Sequence, residues 1–232
     1  MITVNGQQVF STLEEIADPH HTALVVIDAQ NDFCSPKGLM GSNGHDMSAV
    51  PPAIAQIDKL LAAARAAGVL VVYIQNQMLP GKRSTSGAWL RFLTAKDRTT
   101  AMLDDQHCCL VDSWGAEIVD ELKPHKDEIV VKKWRSSAFV GTNLDMILRV
   151  NNIKSVVCCG FVTQGCVEST ARDAGFYDYY PVVVEDAVAN SHPELHAASL
   201  MIQRTRYDVV PTSTMLSVWE KTVPQFAATA AQ

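Results

Sequence analysis

No stretch of this 232-residue chain approaches the roughly 20 consecutive apolar residues that span a bilayer, so no transmembrane helix is expected. Residues Met1 to Phe10 hold neither a basic cluster nor an apolar core, so they do not read as a signal peptide. No CxxC pair occurs, which leaves a zinc ribbon without support. GxGxxG and P-loop patterns are missing, so no dinucleotide or nucleotide cofactor is expected. A GxSxG elbow is missing too, and Ser136, Ser137 and Ser191 stand outside any such motif. Basic residues do not cluster, and the formal net charge of -6 repels phosphate. Nucleic acid and anionic membrane surfaces are therefore not expected partners. The reading is a cytoplasmic protein acting on a small molecule.

The composition is 47% hydrophobic, enough for one domain spanning 1–232 that buries about 70% of its extended surface and needs no disulfide or metal to fold. Four of the six cysteines form the adjacent pairs Cys108–Cys109 and Cys158–Cys159; Cys34 and Cys166 stand alone. Adjacent pairs are a poor disulfide framework, so all six are expected as free thiols in a reducing compartment.

Short apolar, β-branched runs alternate with helical periodicity. Thr22–Ile27 (TALVVI), Val69–Ile74, Glu128–Val131, Ser155–Cys159, Pro181–Val184 and Tyr207–Val210 read as strands, most of them buried on both faces. Helices are expected over Pro51–Ala67, Asn143–Val150, Val167–Tyr177, Pro193–Thr205 and Thr214–Lys221. Gly68 supplies a C-terminal stop to the first of these, and Pro52 and Pro193 suit first turns. Alternation of this kind implies right-handed crossovers, hence a parallel six-stranded sheet in a three-layer α/β/α fold. The polar interval 78–112, with Gly81 and Gly87 among serines, breaks the rhythm and reads as an excursion over the ligand-binding edge.

Ligands of open parallel sheets bind beyond the carboxyl ends of the strands. The residues to weigh are therefore Asp28 after the first strand, Lys132 and Lys133 after the third, and Cys166 after the fourth. Cys166 falls at an expected helix start, where backbone N–H groups favour a thiolate and could bind an oxyanion; a small buried hydrophobe is the alternative. Asp28, at the end of an apolar strand, suits a desolvated base or a structural acid holding loop N–H groups. Spacing does not separate Lys133 from Lys132. Cys158 and Cys159 read as core, and Cys108 and Cys109 as structural. None of His20, His21, His45, His107, His125, His192 and His196 directly follows an expected strand, so no histidine partner for the thiol stands out. His192 and His196 could share a helix face but lack a third metal ligand.

Taken together, three segments resemble the isochorismatase-like cysteine hydrolase family. Asp28-Ala29-Gln30-Asn31-Asp32-Phe33 is similar to D-x-Q-N-D-F, Lys133 to Phe139 to K-x-x-x-S-A-F, and Gly160 to Val167 to G-x-x-T-x-x-C-V. The resemblance covers about Thr22 to Val210 and selects Lys133 over Lys132. It implies strand order 3-2-1-4-5-6, Asp28 as base, Lys133 as electrostatic support, Cys166 as nucleophile, and backbone N–H groups of Val162 and Cys166 as oxyanion hole. It also implies a cis peptide at Phe161–Val162, a cofactor-independent reaction and a homodimer or homotetramer. The nucleophilic cysteine argues for C–N rather than vinyl-ether cleavage. Where nicotinamidases carry metal ligands after the second strand, this chain has Gln75-Asn76-Gln77-Met78, so neither metal nor nicotinamide is expected.

The run Cys166-Val167-Glu168-Ser169-Thr170-Ala171-Arg172-Asp173 resembles the branch acting on ureides and carbamoyl compounds. On that basis Gln30, Asn31, Gln164 and Arg83 are expected to hydrogen-bond the substrate. Trp89, Trp134 and Tyr177, with Phe33 of the first motif, are expected to wall the site. Triuret or biuret ranks ahead of ureidoacrylate, because no cluster of basic residues waits for a carboxylate. The alternatives are an N-carbamoyl amino acid amidase or nicotinamidase-type amidase, and, from a different class, a non-catalytic binding or assembly module.

Overall fold

The structure is a computed structural model, and it describes residues 1–93 and 108–221. The part of the expected excursion at 94–107, with His107, lies outside the described residues. Strands β1 (Ile2–Val4) and β2 (Gln7–Val9) form a small antiparallel hairpin. The main sheet holds β3 (Thr22–Ile27), β4 (Leu70–Asn76), β5 (Ile129–Lys133), β6 (Ser155–Phe161), β7 (Tyr180–Ala189) and β8 (Asp208–Val210). All its strands are parallel, in the order β5-β4-β3-β6-β7-β8. Counted within this sheet, that is the 3-2-1-4-5-6 order expected. Helices are α1 (Leu13–Ile16), α2 (Asn31–Cys34), α3 (Leu39–Ser42), α4 (Val50–Ala67), α5 (Gly87–Leu93), α6 (Leu144–Val150), α7 (Glu168–Phe176), α8 (Pro193–Gln203) and α9 (Thr212–Glu220).

Alternate side chains of each strand feed two separate cores. Leu24 and Val26 of β3 join Ile57, Leu60, Leu61 and Ala64 of α4 and Met215 and Trp219 of α9 on one face. Ala23, Val25 and Ile27 join Leu144 and Leu148 of α6, Ala171 and Ala174 of α7 and Leu200 of α8 on the other. This is the three-layer arrangement that strands buried on both faces require. The long helix α4 ends where expected, because Gly68 takes up a left-handed φ of 74° and its N–H caps the last turn.

Chain connectivity places the site. From β3 the chain moves outward through β4 to β5, then crosses back so that β6 pairs with the other side of β3. The order reverses between β3 and β6, and crevices open at such reversals beyond the strand ends. Two boundaries differ from expectation in ways that matter there. β5 runs on to Lys133, so this lysine is the last strand residue rather than the second residue of the following loop. β6 runs on to Phe161, and the expected helix start becomes a π-helical turn, Thr163–Val167, that leads into α7.

Candidate active site

Asp28 follows a strand whose six residues are all buried. Its own backbone is left-handed, with φ at 50°, and its N–H still donates to Ile74 O at 3.0 Å. The strand therefore ends abruptly with a fully buried carboxylate at the crevice. Lys133 arrives from β5 by simple alternation: Val131 and Lys133 point inward while Lys132 points to solvent. Strand periodicity thus makes the same choice between the two lysines that the motif spacing made.

Cys166 depends on an unusual local path. At Gly160 the backbone takes φ of 118°, and a Cβ there would run into the carbonyl of Ile27 on β3. Only glycine lets β6 lie this close to β3 in that conformation. A cis peptide follows between Phe161 and Val162, at the position the family resemblance implies. The π turn then carries Cys166 back over the strand ends.

The three side chains meet. Lys133 Nζ lies 2.8 Å from Asp28 Oδ2, donates to Cys166 Sγ at 3.2 Å, and donates to the carbonyl of Arg135 at 3.0 Å. The Asp28–Lys133 contact is an ion pair rather than an aligned hydrogen bond: neither Asp28 oxygen has a partner of good hydrogen-bond geometry. The Cys166 thiol also interacts with the Asp28 carboxyl. Burial pushes the Asp28 carboxyl up, against the lowering pull of Lys133 and Cys166. For Lys133, burial alone would lower the ammonium's value, but Asp28 and Cys166 outweigh it and hold the value above the ordinary lysine range. Burial, then the Asp28 charge, push the Cys166 thiol up to about 12, against the opposing pull of Lys133. Burial and the Asp28 charge thus act against the thiolate that backbone N–H groups at a helix start favour.

Lys133, Cys166 and Val162 line a cavity of about 440 Å³, within the range of small-molecule sites. Phe33, Trp89 and Trp134 form part of its wall. The other expected substrate contacts go elsewhere. Gln30 is fully buried, and its amide donates to the carbonyls of Asn76 and Ala116 and accepts from Asn76 N–H. With its hydrogen-bonding capacity spent on joining β4 to the 116 loop, it has no face for substrate. Asn31 donates to Trp114 O at 2.9 Å and lies beside a different crevice. Gln164 accepts from Asn190 and borders another surface groove. Tyr177 stacks on Phe139 and is 41% exposed. Arg83 is outside the lining, whereas its neighbour Lys82 is within it.

Sequence reasoning passed over Asn76, Gln77 and His45 as substrate contacts, all of which line the cavity; Arg135, which with Arg83 counted against a neutral ureide in the sequence, lines it too. Asn76 was accessible in principle, because it ends β4 as Asp28 follows β3. His45 had no such signal: it lies between α3 and α4, where neither strand nor helix spacing applies.

The chain was compared with known proteins. A family model described as the isochorismatase domain matches residues 22–214. Ureidoacrylate amidohydrolase RutB of Pantoea ananatis (strain LMG 20103) is 40% identical over 183 residues, which cover 76% of this chain and 72% of that protein. A cysteine hydrolase from Pseudomonas syringae pv. phaseolicola is similar in structure, with a TM-score of 0.75 and 26% identity, over 88% of this chain and 94% of that one. N-carbamoylsarcosine amidase from Thermoplasma acidophilum has a TM-score of 0.64 and 28% identity, over 83% and 96%.

Proposed function

The chain belongs to the isochorismatase family, and from that premise we propose that it is a cysteine amidohydrolase that cleaves a C–N bond of a small ureide or carbamoyl amide. The observation that carries this reading is the meeting of a carboxylate, an ammonium and a thiol, with the ammonium and the thiol lining one cavity and the carboxylate buried beside them. Similarity to a ureidoacrylate amidohydrolase and to an N-carbamoylsarcosine amidase supports the C–N bond as the target.

The chemistry follows from the placement of the three groups. Asp28 is the base. It takes the Cys166 proton as the sulfur attacks the substrate carbonyl, so no free thiolate has to accumulate in a site that disfavours it. Lys133, 3.2 Å from the sulfur, offsets the negative charge that forms there. The carbonyl oxygen becomes an oxyanion, for which the N–H groups of Val162 and Cys166 are the proposed donors. Asp28 returns its proton to the leaving nitrogen, the C–N bond breaks, and ammonia or an amine departs. Water then attacks the thioester; Asp28 accepts its proton, the C–S bond breaks, and the thiol is regenerated.

Arg135 and Lys82 line the cavity, and Arg135 Nη1 donates to the carbonyls of Ser84 and Trp134. An arginine held in this way, with a lysine also in the lining, favours a substrate carrying a carboxylate. A ureido acid of the ureidoacrylate type is therefore placed ahead of neutral biuret or triuret, the reverse of the order expected from sequence.

A panel of ureido acids, N-carbamoyl amino acids, biuret, triuret and nicotinamide, scored by ammonia release, tests the proposal. Intact-mass measurement during turnover should show an acyl adduct on Cys166. Cys166→Ala should abolish release and leave the melting temperature within about 3 °C of the parent. Undiminished turnover by that variant would sink the mechanism.

A further inference from the structure

Cys108 and Cys109 stand beside Met78, just past the end of β4, outside the group assigned to catalysis. Their sulfurs are 3.8 Å apart. A carboxylate oxygen of Asp32 completes a cluster whose donor atoms all lie within 4.8 Å of one another. Cys109 is buried, Cys108 is half-buried, and Asp32 is 8% exposed.

The arrangement is held from the backbone. Asp32 Oδ2 accepts the N–H of Cys109 at 2.6 Å and Oδ1 accepts the N–H of Leu39 at 3.0 Å. Each oxygen keeps a second lone pair after these bonds. Cys109 has a left-handed φ of 55°, which turns its side chain back beside that of Cys108. Gly115 packs so closely on the Asp32 carboxylate that any Cβ there would collide with it. Among the described residues no ion pair involves Asp32, so none of them supplies a cationic side chain to balance this buried carboxylate. Buried charges ordinarily find a partner or a metal.

Two thiolates bound to a tetrahedral zinc at about 2.3 Å would lie about 3.8 Å apart, the spacing found here. A carboxylate oxygen at about 2.1 Å from the same ion would lie about 3.6 Å from each sulfur, so it would move by little more than about 1 Å. We propose that Asp32, Cys108 and Cys109 form a binding site for a thiophilic divalent cation of the zinc or cadmium class, separate from the catalytic group. Binding replaces two S–H protons by two metal–sulfur bonds and releases both protons to solvent; the metal, thiolates and carboxylate together carry one negative charge. A fourth position is left for water. Cys108 also lines the catalytic cavity, so the ion would brace that part of its wall against α2.

Cadmium titration tests this in the full-length Cys166→Ala protein, where the catalytic thiol cannot contribute. The sulfur-to-cadmium charge-transfer band should saturate at one equivalent with the intensity of two thiolates. Cys108→Ser should at least halve that intensity and weaken binding about tenfold or more. Asp32→Asn provides a second variant that keeps both sulfurs, and it should weaken binding without halving the band. Zinc should raise the melting temperature of the Cys166→Ala protein and not that of the double variant with Cys108→Ser. An unchanged band in the Cys108→Ser background, or no saturable band in the Cys166→Ala protein, overturns the assignment. Neither outcome depends on whether the catalytic reading holds.

Discussion

Replacing Asp28 by asparagine keeps the side chain's shape and removes its charge from a place where both partners are fully buried. Lys133 then has no counter-ion. At 2.8 Å the lost attraction is about 6 kcal/mol for an effective dielectric near 20. Removing one member of a buried pair typically costs about 3–5 kcal/mol, because the other charge is stranded. In a domain of this size, about 2–4 °C is lost per kcal/mol, so the melting temperature should fall by roughly 6–20 °C. The deficit should also depend on pH in a defined direction. In the parent, the Lys133 value is raised on folding, so its contribution is complete below the unfolded lysine value near 10.4 and fades as pH rises through the folded one. In the variant, burial without Asp28 lowers it, so the unfolded chain binds more protons and stability rises with pH. The gap between the two proteins should therefore narrow from neutral pH toward about 10. Turnover should fall by about 10²–10⁴, the usual contribution of a positioned base. Calorimetry across pH together with ammonia release measures all of this. A variant that melts within about 2 °C of the parent, or keeps more than a tenth of its turnover, would show that Asp28 and Lys133 are not coupled as described.

The pH profile of kcat/KM should rise as the Asp28 carboxyl loses its proton, at a pH above the ordinary aspartate value near 3.9, because burial raises it. It should then stay level through the range near 8.5 where ordinary cysteine titrates, since the Cys166 thiol is pushed up to about 12. The group is coupled, so the break belongs to the Asp28–Cys166 pair; an alkaline rise near 8.5 would mean that a free thiolate is the reacting form. Gly160→Ala should cost more than about 3 kcal/mol, read as a lowered denaturation midpoint or as insoluble protein, because the new Cβ meets the Ile27 carbonyl at a positive φ. Normal stability in that variant would mean that β3 and β6 can separate at no cost.

The sheet was legible because its cause is local. Strands such as TALVVI, buried on both faces, have to be apolar throughout, and the helices between them have to carry a stripe. Gly68 and the prolines at helix starts are likewise local signals. Most missed elements were short: the β1–β2 hairpin and the single-turn helices α1, α2 and α3 leave no period, and α5 was hidden inside the interval read as an excursion. The ends of β5 and β6 were placed two residues early, because the lysine that ends one and the Gly-Phe that ends the other are not typical strand residues.

Sequence alone determined the alternating fold and brought Asp28, the Lys132–Lys133 pair and Cys166 forward, since each sits at or beyond a strand end and strand ends are where parallel sheets open; the motif resemblance then chose Lys133. Tertiary structure decided what the remaining polar residues do. Gln30, Asn31 and Gln164 looked free to meet a substrate, yet each is held by groups 26 to 86 positions away. Asp32, Cys108 and Cys109 looked unrelated, yet they share one cluster. A side chain's chemistry is written in its residue type, but whether its hydrogen bonds are already taken depends on which distant backbone the fold lays against it.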